Sequence, residues 1–390
     1  MEFPFSFNDK SSLLLIFFLH GLVFSILLIR RAILSENRSS KWLSLLLFLS
    51  ALYIAPHMLG YADWYGEKLT REILFFIPFM QVLLIGPVVY FYTRSLLNPS
   101  YSMVKRDWLH LIPPILYLAY SLIVFITDKL VLEEYYFYAD ERDKDLANWY
   151  QMAGLISMTF YLIISLKHYN HYRNLVYEKV SFADTILFQW IRNFMLAFLG
   201  LLILRVLFFI LNPDWGEFGS QFWYYISFSM VFYYISINGY SHAIKTTILE
   251  RGKDYEVEIF AEDDPTKKET REPNTEKEIE VWKEKILELI INKRLYENHR
   301  LTLSNVAEAL GTNTKVISST VNAGFEMNFN DFINHHRIEA VKQKISQGEH
   351  LTSTLLGIAL DCGFNSKATF NRAFKKSTML SPKDYINKLS

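Results

Sequence analysis

The chain has 390 residues, 40 basic and 40 acidic side chains and one cysteine. That length allows two or three domains, and a lone cysteine excludes an internal disulfide and a cysteine-based zinc site. Zero net charge is an average over unlike halves: residues 1–245 are dominated by Leu, Ile, Phe and Tyr, and the remainder is polar, charged and helix-forming.

From the N-terminus the first pattern is hydrophobicity of the kind lipid accepts. A membrane-crossing helix needs about 20 apolar residues. Seven stretches meet that need, over residues 11–29, 42–60, 73–92, 109–126, 150–166, 187–211 and 220–242, the fifth being the shortest. A soluble domain has no use for seven such runs. No basic segment or small-residue cleavage site precedes the first, so 11–33 reads as a retained span and not as a signal peptide.

Basic residues in the loops set the orientation. The first loop carries Arg30, Arg31, Arg38 and Lys41, the third Arg94, Lys105 and Arg106, and the fifth Lys167, Arg173 and Lys179. The second sets Asp63 and Glu67 against Lys68 and Arg71. The fourth, "EEYYFYADERDKD", is strongly acidic, and the sixth, "NPDWGEFG", has neither Lys nor Arg. Odd loops are therefore expected in the cytoplasm, the N-terminus outside, and everything after His242 inside. Aromatic residues crowd the expected external edges (Trp64, Tyr65, Tyr135, Tyr136, Trp149, Tyr150, Trp215, Trp223 and Tyr224), most of them read as interface anchors.

Two polar residues stand out within the apolar runs: Arg205 in "LLILRVLFF" and His57 in "IAPHMLGY", both in the expected outer half. A charge at that depth costs several kcal/mol unless paired or hydrated. One reading is a pocket open to the outside that takes an anionic or polar ligand. The other is an Arg that snorkels to the headgroups or pairs with Asp63 or Glu67. His168 and His171 have a spacing that could share a metal, but no carboxylate or third His joins them, and a hydrated helix end is the simpler reading. No nucleophile–base pair, HExxH motif or internal repeat stands out, so neither an enzyme nor a cofactor is expected.

Residues 246–274 form an acidic, apolar-poor connector. Thr275 and Glu278 then make a capping box. The helix they open repeats Ile279, Trp282, Ile286, Leu289 and Ile290 on one face, which could pack on its own domain or on a second copy.

In "LTLSNVAEALGTNTKVISSTVN", Ala307 and Gly311 sit in an apolar frame of Leu303, Val306, Leu310 and Ile317. A small residue lets two helices cross closely, and a glycine four positions on takes the left-handed turn: this is a helix-turn-helix pattern. The second helix presents Lys315, Ser318, Ser319 and Asn322 on one face. The pattern returns 52 residues later at Ala359 and Gly363, with Ile358 and Cys362 in the apolar places. Asn365 or Ser366 can cap the next helix, which buries Phe370 and Phe374 and turns Lys367, Asn371, Arg372 and Lys375 outward. Between the units, "NFNDFINHHRIEAVKQKI" reads as a connecting helix with Phe329, Phe332, Ile333, Val341 and Ile345 inward. From Asn313 onward ten Lys/Arg face six Asp/Glu, a surplus that suits phosphate contact.

Residues from about 277 to 389 resemble the DNA-binding domain of the AraC-type (AraC/XylS) transcription regulators, a pair of helix-turn-helix units joined by a long helix. "IALDCGFNSKATFNRAFKK" followed by "SPKDYI" matches that family's C-terminal signature, and "NFNDFINHHRIEAV" matches its connecting helix. The resemblance implies that the two recognition helices enter successive major grooves on one DNA face. Lys315, Ser318 and Ser319 would read in the first unit, and Lys367, Ala368 and Arg372 in the second. Met379 stands where a Gly usually ends the last recognition helix, so another kind of cap is expected. Ser319 stands where an Arg is often found.

The reading is an all-α chain: a seven-helix transmembrane bundle over 1–245, a linker over 246–274, and a cytoplasmic DNA-binding domain over 275–390 with helix-turn-helix units at about 303–323 and 355–376. It describes a regulator in a bacterial inner membrane. Its expected partners are double-stranded promoter DNA, the lipid bilayer, a second copy of the chain, RNA polymerase and an external or membrane-borne ligand. A transporter or membrane enzyme with a regulatory tail, and a constitutive regulator merely anchored in the membrane, are the alternatives.

Overall fold

The computed structural model describes residues 5–35, 37–98, 100–183, 189–211, 221–250, 273 and 275–389. Among these the secondary structure is helical, with an isolated β-bridge and no strand, as the all-α reading expects. Two compact units result, one from residues 1–169 with 189–253, the other from 170–188 with 254–390. Most of the expected linker, and the sixth loop with Trp215, lie outside the described residues.

The first unit contains α1 (Asp9–Leu34), α2 (Arg38–Tyr61), α3 (Lys68–Phe76), α4 (Val82–Leu97), α5 (Ile112–Phe125), α6 (Asn148–Lys179, whose last ten residues fall in the second unit), α7 (Gln189–Leu211) and α8 (Phe222–Glu250). A 3₁₀ segment, Lys105–Leu111, precedes α5, and a π segment, Ile126–Val131, follows it. Among the described residues five helices are long and apolar enough to cross a membrane: Asp9–Leu34, Arg38–Tyr61, Lys105–Val131, Asn148–Lys179 and Gln189–Leu211. The third expected run is broken into α3 and α4. Pro78 brings no backbone N–H, and the residue before a proline avoids the helical region; Ile77 accordingly sits at φ −97, ψ 114. α4 is apolar but shorter, and α8, long enough, is enriched in Tyr and Ser.

The packing follows from where the apolar residues lie. α2 is apolar nearly all round, is buried over most of its length, and packs on α1, α4 and α8. Its neighbours keep an apolar face outward: Ile16 and Ile26 on α1, Leu116 on α5, Ile156 on α6, Ile203 and Ile210 on α7 are all exposed. Of the expected interface aromatics, Tyr136, Trp149 and Trp223 are exposed, whereas Tyr150 and Tyr224 are core residues of the bundle.

The loop before α6 is stitched by buried carboxylates. Asp145 accepts the Met80 N–H (2.8 Å) and the Tyr117 hydroxyl (2.6 Å), and Asp143 accepts the Tyr65 hydroxyl (2.8 Å) and the Asp145 N–H (2.9 Å). Lys144 between them pairs with Asp140 instead (2.9 Å). Burial raises the Asp143 carboxyl from 3.8 to about 6 and that of Asp145 well above the carboxylate range. The folded loop therefore holds protons that the unfolded chain releases. Its stability is complete below about 3.8 and declines as pH rises through about 6. Amide exchange across residues 137–147, corrected for intrinsic rates, is expected to be faster at about pH 7.5 than at about pH 5. Equal protection at both would show that neither carboxyl titrates between those two pH values.

The second unit contains α9 (Glu276–Leu287), α10 (Leu303–Ala309), α11 (Thr314–Phe325), α12 (Phe329–Ser346), α13 (Leu355–Asp361), α14 (Lys367–Thr378) and α15 (Pro382–Leu389). α9 opens on the expected capping box of Thr275 and Glu278. Its apolar face packs on its own unit, against α11, and Ile286, Leu289 and Ile290 join a core with Leu303, Val306, Ile317, Val321, Phe329 and Phe332. A second core gathers Ile338, Val341, Ile345, Ile358, Cys362, Phe364, Phe370 and Phe374. α12 runs through both: its N-terminal half closes the first and its C-terminal half the second.

Candidate nucleic-acid interface

Each half of the second unit is a helix pair on a tight glycine turn. Thr302 caps α10 with Asn305 in a reciprocal box, and Asn313 caps α11 by accepting the Val316 N–H at 2.9 Å. In the second pair Thr354 caps α13, and Ser366 rather than Asn365 caps α14, accepting the Thr369 N–H at 3.2 Å. Gly311 at φ +64 and Gly363 at φ +92 make the turns, a left-handed geometry that a Cβ would penalise. Ala307 and Ala359 are buried where the helices cross.

The outer face of each second helix carries the residues expected from the sequence. Lys315 and Asn322 are exposed on α11, with Ser318 and Ser319 half-buried beside them. Asn322 Nδ2 approaches Ser318 Oγ at 3.4 Å, and the Ser319 hydroxyl donates to the Val316 carbonyl at 3.1 Å. On α14, Lys367, Ala368, Asn371, Arg372 and Lys375 are all exposed. Lys376, not singled out from the sequence, bonds Asp331 on α12 at 2.7 Å.

The end of α14 corrects one expectation. Met379 takes the left-handed position itself, at φ +61, with its N–H on the Lys375 carbonyl at 2.9 Å. The helix is thus closed in the way a glycine would close it, by a residue whose Cβ disfavours that geometry by about 1 kcal/mol. Met379 is largely exposed, so its side chain adds little packing. Met379→Gly is expected to stabilise the unit by up to about 1 kcal/mol in chemical denaturation; a net loss would show that the methionine packs after all.

Residues 306–388 match the family of the helix-turn-helix domain. The C-terminal segment is an AraC-type helix-turn-helix domain. An uncharacterized HTH-type transcriptional regulator of Staphylococcus aureus strain COL is 33% identical over 91 residues, 23% of this chain and 12% of that relative. Counterparts in strains MSSA476 and N315 give the same identity and coverage. The match thus spans 12% of the length of these curated relatives. No solved structure matches the chain.

Sequence reasoning missed the residue that organises the helix-turn-helix domain. Arg337 is 1% exposed, between the two cores. Its Nε donates to the Tyr296 carbonyl at 2.8 Å and its Nη2 to the Asn298 carbonyl at 2.8 Å. The signal was available: Ile333, Arg337, Val341 and Ile345 recur every four residues, so a cation stands in the middle of a buried apolar stripe.

In the first unit, Arg205 is buried and bonds neither Asp63 nor Glu67. Its Nη1 donates to the Tyr53 hydroxyl at 2.8 Å, and its Nη2 to the Gln151 carbonyl at 3.0 Å and to the Gln151 side-chain oxygen. Gln151 Nε2 in turn donates to the Asp145 carbonyl at 2.5 Å, and Tyr53 and Tyr224 hydroxyls meet at 3.2 Å. One polar chain therefore links α2, α6, α7, α8 and the carboxylate loop. Beside Arg205 lies a cavity of about 30 Å³, lined by Tyr53, Met158, Phe198, Leu202 and Phe228, room for a water molecule or two. His57, stacked on Tyr225 at 3.7 Å, is not part of that lining.

Proposed function

We propose that the chain is a membrane-embedded one-component transcription regulator. What carries the reading is a helix-turn-helix domain on the same chain as five helices of membrane-crossing length whose outward faces are apolar. In this reading seven segments cross the bacterial inner membrane, the broken α3–α4 pair and the Tyr-rich α8 among them. The N-terminus is outside and the DNA-binding domain is in the cytoplasm. Both helix pairs act as helix-turn-helix units on one face of the duplex, with Lys315, Ser318, Ser319 and Asn322 at one major groove and Lys367, Ala368, Asn371, Arg372 and Lys375 at the next. The signal acts where Arg205 ties α6 and α7 to α2, and repacking there alters how the recognition helices are held.

Genome-wide occupancy of the full chain, beside a variant lacking residues 1–239, tests this. Discrete promoter peaks whose pattern changes on deletion are expected, together with cytoplasmic activity of a reporter fused after Ser390. An even background, or a periplasmic reporter, refutes it. Arg372→Ala is expected to weaken binding to a duplex selected by the wild-type chain by about 1–3 kcal/mol. Unchanged binding would remove Arg372 from the interface.

A further inference from the structure

The second unit contains a piece of chain that no sequence pattern assigns to it. Residues 180–183, directly after α6, are buried in it: Val180, Ser181, Phe182 and Ala183 are each at most 3% exposed. Val180 forms an isolated antiparallel bridge with Thr302, the residue that caps α10. Next to it the Ser181 N–H donates to the Leu301 carbonyl at 3.0 Å. From α12, Asn330 Nδ2 donates to the Val180 carbonyl at 3.2 Å. Arg337 reaches the same strap twice, from Nη1 to the Ser181 carbonyl (3.2 Å) and from Nη2 to the Ser181 hydroxyl (3.0 Å).

We propose that this strap is a working part of the DNA-binding domain, seated in a socket built on Arg337, Asn330 and the 301–302 edge, and that it fastens the first helix pair to the connecting helix. The inference rests on the regulator reading above and adds to it a surface and its occupant. The socket is polar and directional. It satisfies the strap's backbone at Val180 and Ser181 as a partner strand would. None of its bonds uses the exposed faces of α11 or α14, so docking is compatible with DNA contact. Its effect is on the frame. With the strap seated, α10 and α12 are pinned to one peptide; with it withdrawn, Leu301, Asn330 and Arg337 each lose a partner, and the spacing of the two recognition helices loosens. Because residues 180–183 continue directly from α6, any displacement of that helix is delivered to the frame through the chain itself.

The test uses the full chain in lipid nanodiscs and a duplex that the wild-type chain selects from a random pool. Ser181→Trp cannot enter the socket; Ser181→Ala can. For the Trp variant, amide exchange at 296–302 and 330–337 is expected to rise about tenfold or more while protection in α13 and α14 persists. Affinity for the selected duplex is expected to fall about tenfold, with affinity for a scrambled duplex unchanged. Ser181→Ala keeps the backbone bonds of the strap and loses only the hydroxyl's bond to Arg337 Nη2, so its rise in exchange and its loss of affinity should both be clearly smaller than those of the Trp variant. If exchange is unaltered, or if it rises with no change in duplex affinity, the proposal is overturned. Should the Trp variant fail to fold, Val180→Cys with Thr302→Cys in a Cys362→Ala background decides. Facing residues of this kind of pair lie about 4.5 Å apart between Cα atoms, within disulfide range. The bond is expected to close under mild oxidation without loss of duplex affinity relative to the reduced form; failure to close overturns the docking. If the wild-type chain selects no duplex, the regulator reading fails, and the exchange and oxidation arms still report on the strap.

Discussion

Gly363→Ala is expected to destabilise the helix-turn-helix domain by about 2–5 kcal/mol, and the same change at Gly311 by only about 1 kcal/mol. Both glycines turn a helix pair, both have positive φ, and in sequence they are equivalent. Their surroundings differ. A Cβ on Gly311 would meet nothing within 4 Å, so the cost there is the left-handed backbone alone. A Cβ on Gly363 would overlap the Tyr296 carbonyl oxygen and lie 2.9 Å from Glu297 Cα and 3.0 Å from Arg337 Nε. Two of those three are backbone atoms and cannot swing aside as the end of a side chain can. The Tyr296 carbonyl is also the acceptor of Arg337 Nε, so moving it breaks a buried bond as well as a contact. Amide exchange in α13 and α14 for the first variant, and in α10 and α11 for the second, measures each cost locally. Equal costs at the two positions would mean that the turn geometry, and not the crowding, decides.

That asymmetry marks where sequence reading ends. The paired Ala and Gly positions, the inward Phe and Ile residues and the Thr275 box were legible because each is set by neighbours within one or two helical turns. So was the outward face of α14, whose cap depends on one residue. What Gly363 meets was not legible, since Tyr296 arrives from 67 residues earlier in the chain. The apolar face of α9 could not be assigned from its period alone: packing on its own unit and pairing with a copy demand the same pattern, and only the contact with α11 separates them. The interruption between α3 and α4 was announced by Pro78, but 16 of the 20 residues of that run, 73–92, are apolar, and hydrophobicity hid the break. Of the readings open for Arg205, pairing with Asp63 or Glu67 fails for a chemical reason: hydroxyl and carbonyl acceptors at 2.8 and 3.0 Å take the place of a carboxylate. The strap at 180–183 has neither period nor motif, because bonds to its backbone do not depend on which residues it carries.

Arg337→Leu is expected to cost the helix-turn-helix domain about 3–5 kcal/mol, although it places an apolar residue in an apolar stripe. The guanidinium is the shared donor to Tyr296 and Asn298 in the loop before α10, to Ser181 in the strap and to Asn334 one turn back on α12. None is a carboxylate, so no attraction of opposite charges offsets the desolvation. Burial pushes its pKa down to about 9, still above neutrality, and the acceptors hold the charged form. Leucine would remove the cation and leave the carbonyls of Tyr296, Asn298 and Ser181 facing apolar surface, each at about 1–3 kcal/mol less whatever water reaches them. Lysine keeps the charge but not the planar fork. One ammonium cannot reach acceptors on opposite sides of the guanidinium plane, so Arg337→Lys should recover less than half of the loss. Chemical denaturation of the full chain, followed by exchange in α12, reads both variants. The loss should appear at the N-terminal half of α12 and around 296–302 before it appears in α14, because the bonds tie the first core and not the second. Full recovery by lysine would show that the charge alone matters, and a leucine variant as stable as wild type would show that the acceptors are better served by water than by Arg337.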